Sequence, residues 1–558
     1  MSGDVSDNAS LAAEIDPLNE DANEVPALAV LAVHFQEILA VILWTLAADV
    51  LIFRSLGYSG PAVFFALVPI IFCVNRFRNR SAEVGPTEAS GHRLAIAVLS
   101  GLLLCVAMRL LWLGSAMTVC SGAVLVVGLA MAASGVMPFV LEGIAFASRL
   151  LFDGLVRLRQ YRLPRRGGNP SGDHQSEVAA GTSARSPWTW LLPIILGTIF
   201  ASLFVMANPD LRGMVGEQFS KTWKRILTWA SMTSPWELPF CVLALVIGAG
   251  LMRPRSGFTQ FGKEEVIEAE PNGTTASLLP AFRNTLILLI GLFCVYLSFE
   301  FSTLWRSEFP EGFYYAGYAH QGAAWLTIAL AVATVLLSVI FSGEVLQDSR
   351  VNRLRTLAWV WSVLNLLLAM AVYNRLLIYV GYNGMTRMRT VGFFGITVVV
   401  IGFLLVLYKI AKHRSFWWLV RAQLIALVLT IVSYSLFPVD YVAHRYNAAK
   451  VATGYLHPSV MIAVKPIDNE GMLNLFRLVD HPDPIIREGV KARLANRLEE
   501  IRKQRNRNPN HWTAFQAAEN RLLKKLEAHK SVLQPYLGKP NARNDAGAVF
   551  TDYAMQWY

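Results

Sequence analysis

The sequence predicts an all-α fold, a polytopic transmembrane helical bundle of about 11 spans with a small α-helical region at its C-terminal end. Three observations predict it. Hydrophobic residues make up 54% of the 558 positions, charged residues only 16%, and mean hydropathy is +0.42. A soluble chain of this length has too little interior to hide so much apolar surface. The apolar residues come in continuous blocks of about twenty, the length a helix needs to cross about 30 Å of hydrocarbon. Most of the Lys and Arg behind the net charge of +11 lie in loops beside those blocks, where they set topology. Composition therefore excludes a secreted domain, a cytosolic enzyme and a nucleic-acid binder, and it names no reaction.

Residues 1–30 form an acidic tail whose first 26 positions hold no Lys or Arg. They lack the basic-then-apolar order of a signal peptide and are expected to be disordered. Long apolar runs then place spans near 36–54, 57–75, 94–113, 116–140, 188–207, 236–252, 282–303, 321–342, 355–377, 390–409 and 417–437. The first four lie in a segment 31–160 that ends in an amphipathic stretch, 141–160. A flexible linker, 161–187, bears Gly, Pro and Ser. A helix pair at 188–253 encloses a second amphipathic stretch, 211–232, and both stretches are expected to lie in the membrane interface. A second linker, 254–280, leads to the last five spans in 281–437, and 438–558 is the tail.

Loop charge sets the orientation. Loops after even-numbered spans hold about 22 Lys and Arg and those after odd-numbered spans about nine, so the even side is cytoplasmic. Eleven spans then put the N-terminus in the cytoplasm and the C-terminal tail on the extracytoplasmic face of a plasma or inner membrane. In the tail, Pro482, Asp483 and Pro484 precede a run with apolar residues at helical spacing, in which Glu499 stands four before Lys503. A second run passes through Trp512, Phe515, Leu522, Leu523 and Leu526. Two or three amphipathic helices are expected, packed on each other or on the membrane surface, with their basic residues forming a solvated face.

The five cysteines, Cys73, Cys105, Cys120, Cys241 and Cys294, all fall inside apolar blocks and read as small packing residues, without a disulfide framework or metal site. There is no Walker-type loop, no Gly-x-Ser-x-Gly elbow and no His-Glu-x-x-His. The expectation leans against an enzyme and includes no cofactor, no metal and no nucleic-acid partner.

Ionisable residues inside spans are costly enough to need a reason. Asp49, Arg109, Glu300 and Arg375 all lie toward outer span ends, while Arg306, Glu308, His320, Tyr379, Tyr382 and Arg387 occupy adjoining outer loops. The candidate ligand site is therefore an outer cluster of Asp49, Arg109, Glu300, His320, Arg375, Tyr379, Tyr382 and Arg387. The competing explanation is structural pairing near helix ends, or Arg109 and Arg375 snorkelling to headgroups. Arg375 stands four before Tyr379, so both should project to one side of a helix. Arg375 or Arg109 is expected to form an ion pair with Asp49 or Glu300. His34 and Glu37, three apart, could share a helix face, Asn365 should hydrogen-bond between helices, and the tryptophans should form an interfacial belt.

Three stretches, 314–325 (YYAGYAHQGAAW), 371–389 (AVYNRLLIYVGYNGMTRMR) and 439–456 (VDYVAHRYNAAKVATGYL), resemble segments of an uncharacterised bacterial membrane family catalogued as domain of unknown function 4173, with the sister family 4153 as the alternative. Residues 469–480, Trp512 with Phe515, and the first span through Ala47, Ala48, Asp49, Val50 and Leu51 resemble it more loosely. The resemblance implies an integral membrane protein. Gly317 and His320 stand where the pattern has an acidic residue and an Arg, and Tyr382 with Asn383 replaces a small residue followed by Tyr.

Binding or signalling at the outer face, with the bilayer and a ligand or protein as partners, is the favoured function. The alternative is a secondary transporter or lipid-handling permease, although no inverted repeat is visible. A membrane-embedded transferase using Glu300 or Glu308 as base, or His320, comes third.

Overall fold

The computed structural model describes residues 35–76, 86–160, 220, 234–252, 279–303, 315–340, 351–412, 414–507 and 511–557. Among these every regular element is a helix. The acidic tail, both linkers apart from the last two residues before 281, the span expected at 188–207, and all of 211–232 except Ser220 lie outside them, as do His34, Arg306 and Glu308.

The first group of helices is α1 (Phe35–Ala48, continued by a π turn Asp49–Phe53), α2 (Ser59–Arg76), α3 (Pro86–Trp112), α4 (Ala116–Ala133), α5 (Val140–Gln160) and α6 (Glu237–Met252). The second is α7 (Leu279–Thr303), α8 (Tyr315–Ile340), α9 (Val351–Asn383), α10 (Arg387–Lys412) and α11 (Phe416–Leu436). Seven described helices are long and apolar enough to cross a membrane, and three shorter apolar ones run Ser59–Cys73, Glu237–Met252 and Ala324–Leu337. This is the pattern of a multi-pass membrane protein. Local chemistry sets the ends: Ser115 and Ser415 cap α4 and α11, their hydroxyls accepting from Thr118 and Trp418 N–H at 3.2 Å. Gly384 ends α9 with φ +83°, and a Cβ there would also stand 2.6 Å from Asn447 Oδ1, so only glycine fits.

Trp44, Phe64, Phe65, Leu103, Leu110 and Leu129 form the core of the first group. Leu286, Leu330, Leu337, Trp361 and Phe403 form that of the second. Helix α11 joins them, packing on α10 and also on α4 and α5. Polar contacts fix both its ends: Thr118 donates to the Ser435 carbonyl at 3.2 Å, and Arg421 pairs with buried Glu142 at 3.0 Å. Outward faces remain apolar, with Leu288 and Val295 more than 70% exposed, as lipid contact requires.

Four expectations are corrected here. The amphipathic stretch 141–160 becomes α5, which packs along α6 where Gly154 and Gly250 let the backbones approach. Trp44 and Trp361 are buried in the two cores rather than set in a belt, and there their rings pack edge-to-face with Phe64 and Phe293. Asn365 donates to the Trp361 carbonyl of its own helix at 2.8 Å, not to a neighbour. Cys73, Cys105, Cys120 and Cys294 are exposed on outward faces instead of packed inside.

The tail is a helical domain with its own core. It comprises α12 (Val439–Ala452), α13 (Ser459–Ala463), α14 (Asn469–Met472), α15 (Pro484–Arg507), α16 (Ala517–Ala528), α17 (Lys530–Leu533) and α18 (Pro540–Met555). Helix α15 is its axis, burying Ile486, Val490, Leu494, Leu498 and Ile501 among Leu475, Leu478, Leu522, Leu526 and Phe550. The closing helix α18 goes beyond the two or three helices expected. It packs on α15 so closely that a Cβ at Gly489 would stand 2.4 Å from Phe550 Cβ. Glu499 does not pair along its helix; it accepts from Arg543 and from the Gly538 N–H at 2.6 Å.

The domain sits on one end of the bundle. Asn447 exchanges two hydrogen bonds with the Met385 main chain at 2.7 and 2.8 Å, Tyr455 OH donates to the Tyr382 carbonyl at 2.9 Å, and Thr513 Oγ1 accepts from the Leu56 N–H at 3.1 Å. Each fills a main-chain or side-chain valence that would otherwise go unmet at a helix end.

Candidate functional site

The expected outer residues gather at this domain-bearing end, but as separate pairs rather than one cluster. Arg375, 3% exposed, donates from Nε to Glu300 Oε1 at 2.7 Å and from Nη2 to Oε2, and Tyr296 OH bridges the two side chains. This is the predicted cation–carboxylate pair, linking α9 to α7. Arg109 meets neither Asp49 nor Glu300. It forms a two-pronged pair at 2.6 and 2.7 Å with Glu470 of the domain, to which the Trp112 indole also donates at 2.9 Å. Asp49 is taken by Arg54, 3.1 Å away, which also reaches Glu237. Arg387 pairs with Asp440 through Nε at 2.6 Å and through Nη2. Tyr379 does not join Arg375 at Glu300; its ring lies under the Arg389 guanidinium at 3.9 Å. Tyr382 packs edge-on against His457, and His320 lies on α8.

Two of the expected residues, Tyr379 and Arg387, line a cavity of about 790 Å³ between α8, α9, α10 and the domain. One wall is apolar, with Ile328, Leu376, Val391 and Ile396; the domain side brings Asp440, His444 and Lys465, and α10 adds Arg389. Sequence reasoning did not single out Arg389, His444 or Lys465. The first two lie in stretches quoted for the family resemblance, which was the available signal. Arg389 is 6% exposed and donates to the Gly384 carbonyl. His444 is 4% exposed, and its Nδ1 has no hydrogen-bond partner.

Electrostatics at the domain side are set by burial. Burial would push the Asp440 carboxyl up, but hydrogen bonds from Arg387 and from the Asp468 N–H outweigh it and hold it below the usual carboxylate range. Burial holds the His444 imidazole down to about 4, against the pull of Asp440, so it is neutral at physiological pH. Burial, then the charge of Asp440, pushes Asp468 up to about 7. Among the described residues no three His, Cys, Asp or Glu side chains come together to hold a metal ion.

Asp468 also caps α14, accepting from the Gly471 N–H at 2.8 Å. Its folded pKa is raised, so the folded state binds more protons than the unfolded state between about 4 and about 7. The stability this contributes is present at low pH and lost as pH rises through about 7. Asp468→Asn keeps the cap and removes the charge. It is therefore expected to raise domain stability at pH 8 by on the order of 1–2 kcal/mol and to change little at pH 4.5, as read by thermal melts.

Residues 103–461 match the family model described as domain of unknown function 4153, the sister of the family that the sequence resemblance placed first. The match runs from α3 to α13 and includes Arg375, Arg387, Arg389 and His444, whereas Lys465 and Glu470 lie beyond it. No curated protein and no solved structure matches the chain.

Proposed function

The chain belongs to the DUF4153 family, and from its geometry we propose that it is a ligand-binding membrane protein whose site is the cavity between the bundle end and the C-terminal domain. One observation carries this: the cavity of about 790 Å³ is walled by both parts, by Ile328, Leu376 and Ile396 on the bundle and by Asp440, His444 and Met461 on the domain. That volume lies in the range of sites for small organic ligands. A ligand there touches both walls, so occupancy changes how firmly the domain docks, which is the coupling a sensor needs. We propose eleven spans with the N-terminus in the cytoplasm; loop-charge parity then supports an extracytoplasmic position for this end, and the family resemblance supports a bacterial inner membrane.

A second reading, a lipid-handling permease, is favoured by the Arg375–Glu300 pair inside the bundle, whose Arg375 shares α9 with the cavity-lining Leu376 and Tyr379.

The test uses a cavity-filling variant. Gly395 lines the cavity, and a Cβ there would meet nothing within 4 Å, so Gly395→Trp adds bulk without a main-chain clash. Native mass spectrometry of the full chain should find a bound small molecule on the wild type that Gly395→Trp loses. An identical bound set on both, with no added molecule binding one and not the other, would sink the proposal.

A further inference from the structure

We propose that the cavity binds a phospholipid of net negative charge, its phosphate held by Arg389 and Lys465 and its acyl chain laid along α8 and α10. This rests on the cavity being a ligand site and goes further by naming the ligand's chemistry.

The argument begins with charge. Arg387 is neutralised by Asp440 within the structure, so it offers little to a ligand. Arg389 has no carboxylate partner among the described residues: its side chain gives one hydrogen bond, to the Gly384 carbonyl, and rests on the Tyr379 ring. A guanidinium has five N–H donors, and one that is 6% exposed without a counter-charge is costly. Its position in the cavity wall gives an anion the means to relieve that cost. Lys465 lines the cavity from the domain, exposed, with no side-chain hydrogen bond among the described residues. An anion between the two is therefore held from both sides, in the charge-assisted manner that phosphate suits. His444 adds an independent sign: its unpartnered Nδ1 is buried beside the same space. A neutral imidazole nitrogen can donate to a phosphoryl oxygen or accept from a headgroup hydroxyl, according to tautomer.

Shape selects a lipid over a free anion. A phosphate alone would satisfy the cations and leave the apolar wall against water. That wall runs outward: Ile328, Met388 and Val391 line the cavity and are 51%, 76% and 46% exposed, on helices whose outer faces are apolar. The cavity thus opens sideways onto the surface that faces hydrocarbon, where an acyl chain already lies. Charge then selects among lipids. A zwitterionic headgroup brings its own cation toward Arg389 and Lys465, while the carboxylate that lines the cavity, Asp440, is already engaged by Arg387.

The experiment titrates the purified full chain in mixed micelles with phosphatidylglycerol, phosphatidylcholine, inorganic phosphate or glycerol 3-phosphate, reading melting temperature and native mass spectra. Saturable stabilisation by phosphatidylglycerol alone is expected. Arg389→Gln should weaken it at least about tenfold, the loss of one charge-assisted bond. Because Arg389 also braces the turn at Gly384, Lys465→Glu is the second variant; the Lys465 side chain has no hydrogen bond or ion pair to lose among the described residues, and the same tenfold weakening is expected. Equal stabilisation by phosphatidylcholine, saturation by a free phosphate, or no effect of Lys465→Glu would overturn the proposal. If Gly395→Trp abolishes binding of some uncharged or zwitterionic molecule while phosphatidylglycerol has no effect, the ligand class is wrong and the cavity reading stands. If no molecule distinguishes Gly395→Trp from the wild type, both fall.

Discussion

Arg375→Ala is expected to destabilise the folded protein by about 3–5 kcal/mol, the cost of leaving one member of a buried ion pair behind. Glu300 is fully buried and Arg375 is 3% exposed, so neither charge can turn to water. The guanidinium meets both carboxylate oxygens, and Tyr296 donates to Glu300 while accepting from Arg375. With Arg375 gone, the buried Glu300 carboxylate loses two charge-assisted donors. The pair is also the main polar tie between α7 and α9 in a stretch otherwise held by apolar contact. The double variant Arg375→Met, Glu300→Leu removes both charges and leaves comparable volume, and it should recover most of the loss, since a buried pair is worth little against a well-packed apolar one. Thermal melts in detergent read both. A single variant within about 1 kcal/mol of wild type would mean that the pair is solvated and contributes like a surface bridge.

The apolar helices were legible because hydrocarbon imposes one length and one composition on every span: each expected span from 36–54 to 417–437 that falls within the described residues coincides with a helix. Loop parity also put Asp49, Arg109, Glu300 and Arg375 toward the same end, where the structure has them. Their partners were harder to read. Only acids within spans were weighed against Arg109, yet its partner Glu470 lies 361 residues on, in the tail, and no spacing rule reaches that far. Asp49 is intercepted by Arg54 just past the π turn that ends the first span. The faces were hidden for a different reason. A helix that is apolar all round has no moment to show which side turns inward, so Trp44 and Trp361 read as belt residues and Cys105 and Cys294 as core, and each is the reverse. Arg389, the cavity's buried cation, sits two residues from Arg387 in the stretch 371–389, and nothing in its spacing sets it apart from that neighbour.

Glu470→Ala is expected to loosen the C-terminal domain from the bundle while leaving the domain folded, at a cost of about 3 kcal/mol in docking. The Glu470 side chain is 1% exposed and takes three donors, two from Arg109 at 2.6 and 2.7 Å and the Trp112 indole at 2.9 Å. Truncation leaves all three unanswered at the last turn of α3, and Arg109, 13% exposed, can only partly reach water. The domain core depends on none of them, because Leu475, Ile486, Leu494, Leu498 and Leu526 pack on one another. Hydrogen–deuterium exchange should therefore quicken across 469–478 and at the end of α3 while α15 keeps its protection. Arg387→Ala acts on a second tie: its guanidinium is 51% exposed, but the Asp440 side chain it leaves behind is 2% exposed and keeps the Asp468 N–H as a donor, so its loss should cost about 1–3 kcal/mol. Unchanged exchange around Glu470 in the Ala variant would show that the domain is held by its main-chain bonds through Asn447 and Tyr455 instead. Loss of protection throughout α15 would show that the domain folds only when docked, and a ligand bridging the two walls would then act by stabilising the fold itself.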